Sequence, residues 1–191
     1  MQLREGFRTN LERVVTDIAD ALKIIDTSGV RCKAFQAGVG PYGEPQLVKL
    51  IAEHLNRSPQ YAQRVKTMSA PDLLIDGFWA LEIKIARPFG DNGKRAENWS
   101  VNLLHPYPGN TSLLGDCLKL RSLPRQEQKA VLAIGYEHEP PQISLEPLAR
   151  SFEVIATQVL SIQLGERVSA VRTGLIHPVH QRLTVMGWTV T

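Results

Sequence analysis

Residues 71–84 read Pro71-Asp72-Leu73-Leu74-Ile75-Asp76-Gly77-Phe78-Trp79-Ala80-Leu81-Glu82-Ile83-Lys84. Asp76-Gly77 is a strong two-residue hairpin signal, because glycine and aspartate tolerate the backbone angles of tight turns. Leu73 to Ile75 is a short apolar run before it. Phe78 to Ile85 is a second run, rich in aromatic and β-branched residues. Folding the two runs about Asp76-Gly77 sets Ile75 against Phe78 and brings Asp72 beside Leu81 and Glu82. Glu82 and Lys84 are two apart, so they point to one face of their strand. The expectation is two carboxylates and an ammonium at the open end of an apolar hairpin.

That grouping has a chemical use. Clustered carboxylates repel each other, and a hard divalent cation such as Mg²⁺ relieves the repulsion while accepting water and phosphate oxygens. A lysine beside the metal can orient water and stabilise charge on a reacting phosphate. A surface hairpin with solvated charges, Glu82 and Lys84 forming an exposed ion pair, is the plainer alternative.

Pro71-Asp72 followed by Glu82-x-Lys84 resembles the signature of the PD-(D/E)XK nuclease superfamily, whose fold is restriction-endonuclease-like. The resemblance covers roughly residues 44–136. It implies a first acid at the start of one strand and the E-x-K set on the next. It also implies a preceding helix with a further acid, and the stretch Gly43 to Ile51 has that position. By this resemblance Asp72 and Glu82 are expected to ligate Mg²⁺, with Mn²⁺ as a substitute. The backbone carbonyl of Ile83 is available as a further ligand, and Lys84 positions the attacking water.

Helical spacing selects the upstream acid. Glu44, Val48, Ile51 and Leu55 are four, three and four apart and share one face, whereas Glu53 lies opposite. Glu44 is therefore expected to point inward and complete the acidic cluster, as a catalytic and metal-binding residue. Pro45 fits the first helical position, which would make Glu44 the cap. The bland role for Glu44 is stabilisation of a helix N-terminus through the dipole.

The remaining sequence is that of an ordinary folded chain. Its 191 residues suit one domain with a sizeable core. Apolar content of 43% and charged content of 21% are ordinary values. No apolar run reaches the length of a membrane span, and the N-terminus Met1 to Arg8 has no apolar signal core. No membrane association and a cytoplasmic location are therefore expected. Cys32 and Cys117 show no metal spacing. A net charge of +3 and a pI near 9.0 permit nucleic-acid binding without requiring it. No internal repeat or low-complexity tract is present.

Residues 10–26 read as an amphipathic helix and 27–43 as a glycine-rich loop. A helix is expected at 45–56, and another from Ser58-Pro59 to about Met68. Residues 88–110 read as a long irregular stretch. Asn110 or Thr111 is the expected cap of a helix to about Arg121. A buried strand is expected over 130–134, a helix over 145–163, and late strands over 168–176 and 183–190. This order predicts an α/β (mixed α+β) fold with a central mixed sheet flanked by helices. The N-terminal helix is an addition to a restriction-endonuclease-like core, and the whole of 1–191 reads as one domain.

Arg87, Lys94, Arg95 and Lys119 are the expected nucleic-acid contacts. Lys94 and Arg95 lie on a turn at the mouth of the site, Arg87 on the opposite strand face from Lys84, and Lys119 in a basic stretch with Arg121, Arg125 and Lys129. His177-Pro178-Val179-His180 reads more readily as a turn between strands than as a metal pair. The function expected is a metal-dependent DNA endonuclease of restriction type. A structure-specific or repair nuclease, a non-catalytic nucleic-acid-binding module on the same fold, and an unrelated α/β protein with a chance motif are the alternatives. One site cuts one strand, so a homodimer is expected to cut two.

Overall fold

The computed structural model describes residues 10–106 and 112–191. Among these, six strands form one mixed sheet in the order β1-β2-β3-β4-β6-β5. The strands are β1 (Val65–Thr67), β2 (Leu73–Ile75), β3 (Trp79–Ala86), β4 (Gln128–Glu137), β5 (Val168–Arg172) and β6 (Arg182–Thr189). β3 and β4 run parallel, and every other neighbouring pair is antiparallel. Five α-helices flank the sheet: α1 (Leu11–Thr27), α2 (Glu44–Leu55), α3 (Val101–Leu104), α4 (Leu113–Ser122) and α5 (Glu146–Val154). The fold is therefore mixed α/β, as expected. Among the described residues no helix is long and apolar enough to cross a membrane.

The core has two layers, one on each face of the sheet. Leu11, Val14, Val15, Ile18 and Leu22 line one side of α1 and are buried against the face that also holds Trp79, Leu81, Ile83 and Ile85. Asn10 starts this helix by accepting the Arg13 N–H on Oδ1 at 2.8 Å. Gly187 in β6 explains how closely α1 approaches: a Cβ there would lie 2.8 Å from Val15 Cγ2. Ala80 and Ala86, with Val131 and Ala133 of β4, face the other way, under α3, α4 and α5. Alternation along β3 puts Glu82 and Lys84 on this second face. All eight residues of β3 are buried, so these two charges lie inside a protein layer.

Several local expectations are corrected. The β2–β3 hairpin pairs Ile75 with Trp79, not with Phe78. The loop is thus Asp76-Gly77-Phe78, with Gly77 at φ +78° and the Phe78 N–H on Ile75 O. The one-residue shift sets Leu73 opposite Leu81 and places Asp72 level with Glu82. No helix runs from Ser58 to Met68. The chain turns at Ala62 and Gln63, both at positive φ, and enters β1. The Asn56 side chain holds that strand by bonding both Val65 N and Val65 O, as a neighbouring backbone would.

Gly43, not Glu44, is the N-cap of α2, and Pro45 sits in its first turn. The stretch 88–110 contains the short helix α3. Asn110 and Thr111 lie outside the described residues, and Ser112 is the cap of α4, its Oγ accepting the Gly115 N–H. The helix expected over 145–163 is α at Glu146–Val154 and continues as a π-helical turn, Ile155–Val159. β5 ends at Arg172, short of the expected 176, and β6 has the expected length, shifted by one residue, with the buried His177–His180 turn between them.

Candidate functional site

The site lies where β3 passes beneath α4 and the start of α2. Asp72, just before β2, turns its carboxylate onto the β3 edge and accepts the Ile83 N–H on Oδ2 at 2.8 Å. β2 ends its pairing at Leu81, so this bond caps backbone that has lost its strand partner. Glu82 is fully buried. Lys119, reaching down from α4, brings its Nζ to 2.8 Å from Glu82 Oε1. Glu82 Oε2 is buried without a hydrogen-bond partner. Lys84 Nζ sits 2.9 Å from Glu44 Oε1, 3.0 Å from Asp116 Oδ2 and 3.3 Å from the Ile83 carbonyl oxygen. Asp116 also meets Lys119, at 3.1 Å through Oδ1.

Asp116 was not read from the sequence, yet it joins the two lysines. It lies on the apolar side of α4 among Leu113, Cys117 and Leu120, all buried. A lone acid within an apolar helical stripe was the available signal, since such a position demands a buried cationic partner. Lys119, expected to track nucleic acid, instead bridges Glu82 and Asp116. Glu44 is brought in as expected, but its observed contact is with Lys84. Small residues make the room: Ala133 of β4 lies beside Lys84 in the parallel register, and Ala80 and Ala86 flank the pair on β3.

The electrostatics follow from this crowding. Burial, the largest cause, pushes the Glu82 carboxyl up to about 8. Lys119 opposes the shift, while the adjacent Asp72 and Asp116 charges add to it. Burial also raises Glu44 against the pull of Lys84. Burial by itself would lower Lys84, but the charges of Asp116 and Glu44 outweigh it and hold the ammonium protonated well above its ordinary value. Lys119 is likewise raised, its loss of hydration outweighed by Glu82 and Asp116. Among the described residues, the ion pairs of Glu82, Asp116 and Glu44 are with Lys84 and Lys119. With these groups and Asp72 all ionised, negative charge exceeds positive by two.

The donors are hard oxygens, and one of them, Glu82 Oε2, is buried without a partner. That chemistry fits Mg²⁺ or Mn²⁺. Among the described residues no three His, Cys, Asp or Glu side chains stand close enough together to hold a metal ion. The Lys84 ammonium stands between Glu44 and Asp116, and the Lys119 ammonium between Glu82 and Asp116.

The other expected contacts divide. Arg87 does not face the acidic cluster. It is half-buried and donates to Gly40 O at 2.8 Å and Tyr42 O at 3.1 Å, tying the loop before α2 to β3. Lys94 and Arg95 are exposed on a turn closed by the Gly90 N–H on Lys94 O. A shallow concavity of about 370 Å³ opens beyond Ile85, lined by Arg87, Asn98, Trp99 and Asn102.

His177 and His180 are buried in the β5–β6 connection, their rings stacked at 4.6 Å. His177 Nδ1 accepts the N–H groups of Val179 and His180, and His180 Nε2 meets Phe89 O at 2.9 Å. Burial pushes His180 down to about 4. The pair is a neutral structural turn that anchors the loop after β3. Compared with family models, with curated proteins and with solved structures, the chain matches none significantly.

Proposed function

We propose that the chain is a metal-dependent nuclease acting on DNA, with a restriction-endonuclease-like core and its active centre at Asp72, Glu82 and Lys84. The observation that carries this reading is that Asp72 bonds the Ile83 N–H, on the strand whose buried Glu82 and Lys84 flank that residue on one face. Asp72, Glu82 and the Ile83 carbonyl would hold Mg²⁺. The ion, when bound, supplies an acidified water and a counter-charge for phosphate oxygens. Lys84 provides a fixed positive charge where negative charge builds on the scissile phosphate. Glu44 and Asp116 hold that ammonium in place and keep it protonated.

The test is cleavage of supercoiled plasmid and of single-stranded and branched substrates, with Mg²⁺, with Mn²⁺ and with chelator. Cleavage that needs the ion and is lost in Asp72→Asn is the expected result. Intact substrates under all conditions, with no divalent binding, would overturn it. The ion pairs that engage both lysines with the carboxylates favour a second reading, a non-catalytic nucleic-acid-binding module. Metal-independent DNA binding without cleavage is its signature.

A further inference from the structure

We infer that Lys119 is a displaceable, tethered cation that holds the metal's position on Glu82 in the free protein and leaves it for the DNA backbone. The inference rests on the metal-centre reading above and deepens it.

The two lysines of the site are not equivalent. Lys84 has a side chain only 9% exposed and is held by Glu44, Asp116 and the Ile83 carbonyl. The side chain of Lys119 is 43% exposed and comes from the rim of α4. Its Nζ is the cation on Glu82, at 2.8 Å from Oε1, and Lys84 makes no such contact although it is Glu82's near neighbour on the same strand face. Glu82, fully buried, therefore takes its counter-charge from the more exposed lysine of the pair.

A metal ion and this ammonium exclude each other. Magnesium binds carboxylate oxygen at roughly 2.0–2.1 Å. An ammonium at hydrogen-bond distance from the same oxygen would then stand within a few ångströms of a divalent charge in a poorly hydrated site. Asp116 makes the exchange possible without losing the lysine. Its Oδ1 already holds Lys119 at 3.1 Å, one helical turn away, so an ammonium that leaves Glu82 keeps a carboxylate partner nearby while its side chain, 43% exposed, can swing outward. There it meets the solvent, where phosphate would lie. Phosphate draws Lys119 off Glu82, and the vacated carboxylate takes the ion. Metal and DNA each remove the same obstacle to the other, so they bind with positive coupling. The free protein holds divalent ions weakly.

The experiment is Mn²⁺ titration of the full chain without and with a short duplex, followed by electron paramagnetic resonance of the free ion. It compares the parent, Lys119→Met, Lys119→Gln, Glu82→Gln and Lys49→Met, a lysine on the exposed side of α2. Binding of a short duplex in Ca²⁺ is measured in parallel, and thermal unfolding confirms that each variant is folded. Both Lys119 variants are expected to bind Mn²⁺ about tenfold tighter than the parent, to bind DNA more weakly and to lose most of the gain in Mn²⁺ affinity that DNA brings. Lys49→Met is expected to match the parent.

Equal Mn²⁺ affinity in the parent and the Lys119 variants, with binding lost in Glu82→Gln, overturns the role of Lys119 and leaves the metal centre standing. The same gain in Lys49→Met also overturns it, by showing a general charge effect. No Mn²⁺ binding in any variant removes both the exchange and the metal-centre reading.

Discussion

Asp116 Oδ2 lies 3.0 Å from Lys84 Nζ, joining helix α4 to the strand that carries the E-x-K set. The contact fixes the position of an ammonium and also its protonation. Asp116→Asn keeps the shape and removes the charge. Glu44 still holds Lys84 at 2.9 Å, so the site persists with a looser lysine. Cleavage is expected to fall by roughly ten- to a hundredfold in kcat, with DNA affinity little changed. A parental kcat in the folded variant would mean that Asp116 is structural only.

Removing the lysine itself should have a larger effect. Lys84→Met keeps a long apolar stem in a buried slot and deletes the positive charge. A loss of about 10²–10³ in kcat is expected, as for other groups that stabilise transition-state charge. Equilibrium binding of DNA in Ca²⁺ should stay within a few-fold of the parent, because Lys84 is only 9% exposed and contributes little to the outer surface. Single-turnover cleavage at the parental rate would place the active centre elsewhere.

These residues differ in how openly the sequence declared them. Asp72, Glu82 and Lys84 were legible because strand alternation and a turn signal locate side chains to within one residue. The hairpin slipped by that one residue at Phe78, because Gly77 supports a three-residue loop as readily as a two-residue one. β1 was hidden, since its three residues carry little apolar pattern and one edge of it is held by an Asn56 side chain instead of a strand. Asp116 and the bridging role of Lys119 were hidden for a different reason. Both depend on which face of α4 meets the sheet, and that face was obscured by the placing of its cap at Asn110 or Thr111 instead of Ser112.

The Glu82 carboxyl predicts a pH dependence of stability. Its folded-state value, about 8, stands above the ordinary carboxyl value of 4.5, with burial as the first cause. The folded protein therefore holds a proton that the unfolded chain releases. The stabilising contribution is complete below the unfolded value and is lost as pH rises through the folded one. In chelator, denaturant unfolding should show stability falling from about pH 4.5 to about pH 8 and level above that. Glu82→Gln should flatten that slope. Divalent affinity should rise with pH up to about pH 8 as the competing proton leaves, and binding should release protons below that value. A flat parental profile would mean that Glu82 is ionised throughout.

Gly40 predicts how the site depends on its supporting loop. A Cβ at this position would stand 2.5 Å from His180 Cβ and 2.6 Å from its Cγ. The same residue's carbonyl receives Arg87 at 2.8 Å, four residues before Glu44. Gly40→Ala forces either the buried histidine turn or the loop to move. A loss of about 1–3 kcal/mol is expected, the usual range for overpacking a filled interior. Because α2 begins just beyond, cleavage should weaken at temperatures where the variant is still folded. Calorimetric unfolding compared with activity at low temperature tests both parts.

Assembly is the last expectation. One E-x-K set holds one scissile phosphate, whereas a duplex has two strands, so a two-fold dimer is the direct geometric route to a double-strand cut. Two surfaces were open to this role in the sequence, α1 and the stretch 88–110. The structure commits the apolar side of α1 to its own sheet, where Val14, Val15, Ile18 and Leu22 are buried against β5 and β6. Of the other stretch, residues 107–111 lie outside the described residues. Its described part borders the concavity of Arg87, Trp99 and Asn102 beside the site and carries Val101, 44% exposed. Light scattering at micromolar concentration, with and without a short duplex in Ca²⁺, is the measurement. A dimer that forms or strengthens on DNA is expected, and Val101→Glu should weaken it without changing Mn²⁺ binding by the free protein. A monomer under both conditions that nicks supercoiled plasmid without linearising it would instead assign the chain to the structure-specific or repair class.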